Sequence, residues 1–130
     1  MADYLVIPYV DGGRNEKGLD CWGLVRDVLH SHFEHPLFKS FGNVHPDNKK
    51  AMHSSFEYVV PEFKPSKIEP GTVAAGLRNN CLIHVGVVVF IDGRLKVLHT
   101  SRRHGVALNT IREFNRLFPQ VVFYQYDRNN

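Results

Sequence analysis

An Asp92-Gly93 dipeptide between two apolar runs constrains the fold of this 130-residue chain more than any other feature. Asp-Gly is typical of a two-residue hairpin turn, which sets the register of both flanking strands and places Gly86 opposite His99. Because side chains alternate along a strand, His84 and His99 share one face and are diagonal neighbours there. Gly86 is expected to leave the space between the two rings unfilled, whereas a one-residue bulge would turn His99 to the other face.

A second constraint is an amphipathic helix predicted from Asp20 to about Phe33. Asp20 is a typical helix cap, and the apolar residues of one face then recur at helical spacing. They are Cys21, Leu24, Val25, Val28, Leu29 and Phe33. Unpaired N–H groups and the positive end of the helix dipole favour a thiolate at Cys21, so this thiol is expected to react ahead of Cys81 at mildly acidic pH. Most free cysteines are small core residues, and that interpretation also stays open for Cys21.

The remaining elements are predicted mainly in the second half of the chain. Residues 34–70 hold five of the seven prolines and indicate a loop-rich segment with one short helix at about 48–58. Asn109 or Thr110 is a candidate cap for a short helix that reaches Leu117. Further strands are predicted at residues 72–75, 82–91, 94–100, 106–108 and 120–126.

Length and composition indicate one soluble domain, residues 1–130, with a single core. Its 43% hydrophobic and 22% charged residues are ordinary for a globular protein. The sequence contains no apolar run long enough to span a membrane and no basic-then-apolar leader, so we expect no membrane span and no export signal. Two cysteines in unlike surroundings indicate free thiols rather than a disulfide scaffold. The net charge of +3 permits an anionic partner but identifies none.

The helix and the hairpin together supply the groups needed for nucleophilic catalysis by a thiol. In such chemistry an imidazole takes the thiol proton and later protonates the leaving group, while a third polar group holds the imidazole in the correct tautomer. Cys21 fits the nucleophile, His84 the base and His99 the orienting residue. No cofactor is expected for this chemistry.

These segments resemble the NlpC-type family of papain-like cysteine peptidases. The matching blocks, in the family's order, are residues 8–13 (PYVDGG), 18–25 (GLDCWGLV), 70–73 (PGTV), 84–88 (HVGVV), 98–101 (LHTS) and 105–106 (GV). The resemblance implies an α+β, papain-like fold in which an N-terminal helix carrying the cysteine packs on an antiparallel β-sheet. It also implies hydrolysis of peptidoglycan stem peptides, often between D-glutamate and the diamino acid.

The resemblance carries site residues over one position at a time. Cys21 matches the nucleophile, His84 the general base and His99 the polar residue that orients the base. Tyr9 matches a tyrosine whose hydroxyl lies near the nucleophile and helps to stabilise the oxyanion, a role that needs a preorganised donor. The alternative for Tyr9 is that its ring only packs beneath the Gly12-Gly13 turn.

Two departures from the cell-wall enzymes change the expected setting. Trp22 stands where those enzymes usually carry Ser, and together with Gly13-Arg14 it is similar to the branch found in tail-assembly proteins of bacteriophages and phage-like particles. This branch implies a virion tail, or the host cytoplasm during assembly, with other tail-tip proteins as partners. Gly71-Thr72 replaces the usual Gly-Asp, at a position that is not catalytic.

Other classes of function remain as alternatives. One is a structural tail-tip or tail-assembly protein that keeps the fold with little hydrolysis, and another is a thiol acyltransferase or amidase on the same scaffold. Eight histidines suggest zinc, but the sequence has neither a Cys-x-x-Cys nor a His-Glu-x-x-His motif, so no metal site is expected. Arg102-Arg103-His104 with Lys49-Lys50 and Arg112 forms a candidate basic rim. Without a nucleic-acid motif, that rim is expected to be a solvated edge or a contact for substrate carboxylates.

Overall fold

One antiparallel sheet organises the computed structural model, which describes residues 2–45 and 47–128. Its strands are β3 (Phe63–Pro65), β4 (Val73–Arg78), β5 (Cys81–Ile91), β6 (Arg94–Ser101), β7 (Gly105–Thr110) and β8 (Gln120–Tyr126). Their spatial order is β3-β8-β4-β5-β6-β7, so β8, the last strand in the chain, lies inside the sheet. A separate two-stranded ribbon joins β1 (Arg14–Asn15) to β2 (Gly18–Leu19).

Three α-helices accompany the sheet in the described residues: α1 (Cys21–Phe33), α2 (Lys49–Val59) and α3 (Ile111–Asn115). Short 3-10 turns cover Ala2–Val6 and Val60–Glu62. Helix α1 begins where the sequence predicts, because the Asp20 side chain accepts a hydrogen bond from the Gly23 backbone N–H. It ends at Glu34, which adopts a left-handed conformation.

The helices pack on opposite faces of the sheet. Helices α1 and α2 contact β5, and α1 contributes its apolar face, Cys21 and Leu24 included, to the larger core cluster with Val87 and Leu98. Helix α3 contacts β6 and β7 on the other face, where Phe114 packs with Val88 and Val97. The α+β class, with the cysteine helix on an antiparallel sheet, is confirmed.

The β5–β6 hairpin has the predicted turn and register. Asp92 and Gly93 both have positive φ, at 53° and 76°, which a two-residue type I′ turn requires. Pairing runs from Ile91 and Arg94 as far as Val87 and Leu98, and it stops there although both strands continue. The predicted ladder pair of Gly86 with His99 does not form, because the pairing ends one step before it. The register is nevertheless the predicted one, and the two residues face each other, since a Cβ atom on Gly86 would lie 3.1 Å from His99 Cβ.

The expectation of an unfilled space at Gly86 is also wrong. A Cβ atom added to Gly86 would lie 2.6 Å from Val97 Cγ1 and 3.1 Å from His99 Cβ. Glycine is needed here because neighbouring side chains already occupy the volume that its own side chain would take.

The loop-rich segment contains the predicted short helix, α2, and also the edge strand β3, which the prolines concealed. Among the described residues, no helix combines the length and the apolar character that crossing a membrane requires.

Candidate active site

The start of α1 is held by a buried carboxylate. Asp20 is 2% exposed, and it accepts hydrogen bonds from the backbone N–H groups of Gly23 and Gly12, each at 2.9 Å. Its Oδ1 also pairs with Arg14 Nη1 at 2.5 Å. A Cβ atom on Gly23 would lie 2.2 Å from the Gly13 carbonyl oxygen, so the loop and the helix approach each other at backbone contact. The first turn of α1 and the Tyr9–Gly13 segment are therefore fixed together.

Cys21 is buried at this junction in its protonated form. Burial raises the pKa of the thiol to about 11, and the neighbouring Asp20 charge raises it further. The backbone N–H groups of Val85 and Trp22 and the charge of Lys49 lower this pKa and offset part of the rise. The helix start was expected to favour thiolate, but desolvation outweighs the helix dipole here. Since Cys21 is buried and Cys81 is exposed, the structure leads us to expect Cys81 to be labelled first, which is the opposite of the order expected from the sequence.

His84 and His99 form the ring pair that the hairpin predicts. His84 Nε2 and His99 Nδ1 lie 2.9 Å apart, so one ring donates to the other. Phe118 stacks on His84 with ring centroids 5.5 Å apart, and Phe114 meets His99 edge-on at 5.1 Å. Burial lowers the pKa of His84 to about 3, with the His99 and Lys49 charges adding to the effect, and burial also lowers the pKa of His99. Both rings are neutral at pH 7.

A fourth polar residue, Asn109, extends this pair. His99 Nε2 and Asn109 Oδ1 lie 2.5 Å apart. The sequence offered Asn109 or Thr110 as a helix cap, and Thr110 takes that role, while Asn109 belongs to β7. The missed signal is the next hairpin: β6 pairs with β7 so that His99 faces Ala107, which makes His99 and Asn109 diagonal neighbours on one face.

A cavity of about 140 Å³ has residues of β5 (Ile83 and His84) and of β6 (Thr100 and Ser101) in its walls. Cys21, His84 and Tyr9 all line this cavity, so the chain brings together the predicted nucleophile, the predicted base and the predicted tyrosine. His99 joins them through His84. Helix α1 and the histidine rings lie on opposite faces of the sheet. Cys21 nevertheless lines the same cavity as His84, and it lies beside Val85, the residue that follows His84 in β5.

Tyr9 lines the cavity with its hydroxyl already engaged. Burial raises the pKa of this hydroxyl, and a hydrogen bond to Asp11 adds to the effect. The guanidinium of Arg102 lies over the Tyr9 ring, 5.9 Å from its centroid. The Tyr9 ring therefore packs against Arg102, and Tyr9 also lines the cavity.

Arg102 ties three segments together at the cavity rim, and we call this arrangement the Arg102 clamp. Its Nη1 lies 2.8 Å from Asp47 Oδ2, and its Nη2 lies 2.7 Å from Asp11 Oδ2. His45 Nε2 contacts the same Asp11 oxygen at 2.9 Å. Of the basic rim that the sequence suggested, Arg102 and Lys49 line the cavity, and the charge of Arg102 is already balanced by two carboxylates.

Cys21 also lines a second cavity, of about 70 Å³, whose character is apolar. Trp22, Met52, Phe56 and Val85 contribute to its walls. Cys21 therefore borders two cavities: the one that it shares with His84 and Tyr9, and this apolar one.

Comparison with known proteins assigns the chain to a family. A family model described as NlpC/P60 family matches residues 6–123. The chain belongs to the NlpC/P60 family. Its members are cysteine peptidases and amidases, and the family is associated with the bacterial cell wall. The matched span includes Tyr9, Cys21, His84, His99 and Asn109.

Two other comparisons add little to this NlpC/P60 assignment. No curated protein matches the chain. A solved structure described as a putative xylanase from Bacteroides fragilis is 18% identical, and the match covers 75% of this chain and 50% of that one with a TM-score of 0.36. This NlpC/P60 chain therefore spans about half the length of that structure.

No part of the described NlpC/P60 site gathers ligands for a metal. Within residues 2–45 and 47–128, no group of three or more His, Cys, Asp or Glu side chains is arranged to hold an ion.

Proposed function

We propose that this protein, acting as one domain over residues 1–130, is a cysteine endopeptidase that hydrolyses peptidoglycan stem peptides. The observation that carries the proposal is the shared cavity of Cys21 and His84, with His84 bonded to His99. A thiol, an imidazole and a group that orients the imidazole are the parts of a thiol acyl-transfer site.

The proposed reaction begins from two neutral groups. The proton of the Cys21 thiol moves to His84 as the sulfur attacks the carbonyl carbon, and the carbonyl electron pair moves onto oxygen. The backbone N–H of Cys21 belongs to the first turn of α1, whose N–H groups lack intrahelical partners, and it is a donor for that oxygen. Collapse breaks the C–N bond, His84 gives its proton to the departing amine, and water then hydrolyses the thioester with His84 as base.

We further propose that the enzyme is a component of a bacteriophage or phage-like tail and acts during cell-wall penetration. The support is the resemblance carried by Trp22 and Gly13-Arg14 in the cysteine block. In this chain Trp22 Nε1 donates to the Lys39 carbonyl at 2.9 Å and Arg14 pairs with Asp20, so both residues brace the helix that carries Cys21. Other tail-tip proteins are the proposed partners, with the virion tail or the assembling host cytoplasm as the location.

Defined muropeptides test the proposed activity. Purified protein incubated with them is expected to release two fragments whose masses sum to that of the substrate plus one water. The matched pair of variants is Cys21→Ala, expected to be inactive, and Cys81→Ala, expected to keep full activity because Cys81 is exposed and lines neither cavity. Intact substrate after prolonged incubation, in protein shown to be folded, would refute the peptidase assignment.

A structural tail-assembly role is the second candidate. The engagement of Arg102 by two carboxylates favours it, because those carboxylates already balance the charge that would bind a substrate carboxylate. Fusion to a secretory leader separates the two candidates: a peptidase is expected to lyse or round the cells in a Cys21-dependent manner. Harmless export of folded protein would support the structural role.

An amidase or acyltransferase is the third candidate, favoured by the apolar cavity beside Cys21. Mass spectrometry of the muropeptide products distinguishes it, since these enzymes break or form bonds other than the internal peptide bonds of the stem.

A further inference from the structure

The polar chain that starts at His84 does not stop at His99. Asn109 Oδ1 lies 2.5 Å from His99 Nε2, and the position of Asn109 on β7 comes from the register that pairs β6 with β7. An amide is ambiguous in such a contact, because its oxygen only accepts and its nitrogen only donates. The state of both histidines therefore depends on which end of the Asn109 amide faces His99.

The amide oxygen of Asn109 is the end that faces His99, and Glu113 favours this direction. Glu113 is held by the capping box of α3: the Thr110 backbone N–H donates to its Oε1 at 2.7 Å, while the Glu113 N–H donates to Thr110 Oγ1 at 3.1 Å. The pKa of the Glu113 carboxyl is lowered by these Thr110 contacts and also by a hydrogen bond from the Asn109 side chain. An ionised carboxylate has no proton to donate, so the Asn109 NH₂ group faces Glu113 and its oxygen faces His99.

The proton positions along the chain then follow in sequence. An amide oxygen requires a proton on His99 Nε2, and because the buried His99 ring is neutral its Nδ1 carries none. The 2.9 Å contact therefore has His84 Nε2 as donor and His99 Nδ1 as acceptor. The neutral His84 ring has its proton on Nε2, which leaves Nδ1 as its basic nitrogen.

We infer that Asn109 is a positioning residue, oriented by Glu113, that fixes the tautomers of His99 and His84 so that the nitrogen turned away from His99 is the one that can accept the Cys21 proton. This inference rests on the function proposed above for its catalytic meaning. The structural part of the inference is that Asn109 sets the tautomer of His84, 25 residues away in sequence, and this part does not depend on which substrate is cut.

Without Asn109, His99 and His84 are expected to adopt a mixture of tautomers rather than the opposite tautomer alone. Without an acceptor at this position His99 can carry its proton on Nδ1, and His84 then has to present a bare Nε2 to it and a proton on Nδ1, which cannot act as a base. Inverting a tautomer outright costs about 10⁴-fold in kcat in the serine-protease triad. A mixture of tautomers is expected to cost less, at least about tenfold in kcat with KM little changed.

The variants separate orientation from packing. Asn109→Ala removes the acceptor, whereas Asn109→Asp keeps one and is expected to rescue most of the activity while moving the acid limb of the pH profile upward, because a carboxylate favours protonated imidazole. Glu113→Gln keeps a capping-box residue but supplies a donor, so the Asn109 amide is free to turn and kcat is expected to fall. Asn115→Ala, an exposed position in the same helix, is the matched control and is expected to change nothing.

Nitrogen-15 NMR of protein labelled in its histidines tests the inference without a substrate. At pH 7 both rings in the unmodified protein are expected to carry their proton on Nε2, and Asn109→Ala and Glu113→Gln are expected to give mixed or Nδ1-protonated forms. A proton on His99 Nδ1 in the unmodified protein, or tautomers unchanged in Asn109→Ala, would overturn the inference. Correct tautomers in a protein that never cleaves muropeptides would instead refute the proposed peptidase and leave the role of Asn109 in setting the tautomers intact.

Discussion

His84 can serve as a base through one nitrogen only, because its Nε2 is committed to His99. The base must receive the proton itself, whereas the residue that orients it needs only a suitable acceptor. His84→Ala is therefore expected to abolish turnover nearly completely, and His99→Asn or His99→Gln to retain a measurable fraction. Steady-state kinetics on muropeptides, with circular dichroism as a control for folding, checks this difference. Equal and total loss at both positions would contradict the assigned roles.

The pH dependence of alkylation reports the resting state of Cys21. Since burial raises the pKa of this thiol to about 11, the thiolate fraction is small at neutral pH and grows as the pH rises. In a Cys81→Ala background, the rate of iodoacetamide labelling is expected to increase about tenfold per pH unit from about pH 6 to pH 9.

A preformed thiolate–imidazolium pair would behave differently. It would give a labelling rate that is nearly independent of pH over that range, and such a plateau would disprove the neutral pair. The sequence located Cys21 correctly at a helix start but misjudged its charge, because the desolvation that dominates comes from neighbours far along the chain.

Among the elements, α1 depends most on a single side chain. Asp20→Ala leaves the Gly12 and Gly23 N–H groups and the Arg14 guanidinium without their partner in a buried place, and this is expected to lower the free energy of unfolding by about 3 kcal/mol. Asn48→Ala, which removes the exposed cap of α2, is the matched control at about 1 kcal/mol. Urea denaturation with an unchanged m-value measures both. Similar losses in the two variants would show that the loop contacts of Asp20 contribute nothing beyond capping.

Elements with local signals were predictable. Helix α1 and the β5–β6 hairpin follow from a cap, a helical period and an Asp-Gly turn, all within short windows. Asn109 was missed although the information was present, since its strand ends two residues later than the apolar pattern does and its partner depends on the β6–β7 register. The end of the β5–β6 ladder at Val87 and Leu98 has no signal in the nearby sequence, since both strands continue beyond it.

The whole molecule is expected to lose stability on mild acidification. His84 is neutral when folded, with its pKa near 3, but has an ordinary pKa of about 6.5 when unfolded, so the unfolded chain binds the extra proton. The free energy of unfolding is therefore expected to fall as the pH drops from about 6.5 towards 3, by about 1.4 kcal/mol per pH unit for this residue alone. Burial lowers the pKa of His99 and His35 as well, and these residues add to the slope.

Urea unfolding between pH 6.5 and pH 5 isolates the histidine contribution, since most carboxylates remain ionised there. His84→Asn is expected to flatten this dependence, whereas His30→Asn, at an exposed position, is the control that should keep it. A pH-independent stability over this range in the unmodified protein would mean that His84 is not buried in its neutral form.

Long-range contacts set the limit of prediction for the molecule as a whole. The Arg102 clamp joins residues 91 positions apart, from Arg102 to Asp11, and reaches Asp47 in the loop-rich segment. Nothing in the neighbourhood of Arg102 distinguishes it from Arg103, and only the folded chain shows that the former meets two carboxylates. Charge composition could suggest a basic rim but could not say which of its members were already paired.

The interior position of β8 has a consequence for biosynthesis. Residues 120–126 are the last of the strands to be translated, yet they separate β3 from β4 and cover an edge of β4 that would otherwise be open. Strand β4 in turn pairs with β5, which carries His84. A nascent chain that still holds β8 inside the ribosome therefore cannot complete the sheet. Until this strand has emerged, β4 keeps an unpaired edge, which is the kind of edge on which another chain can pair.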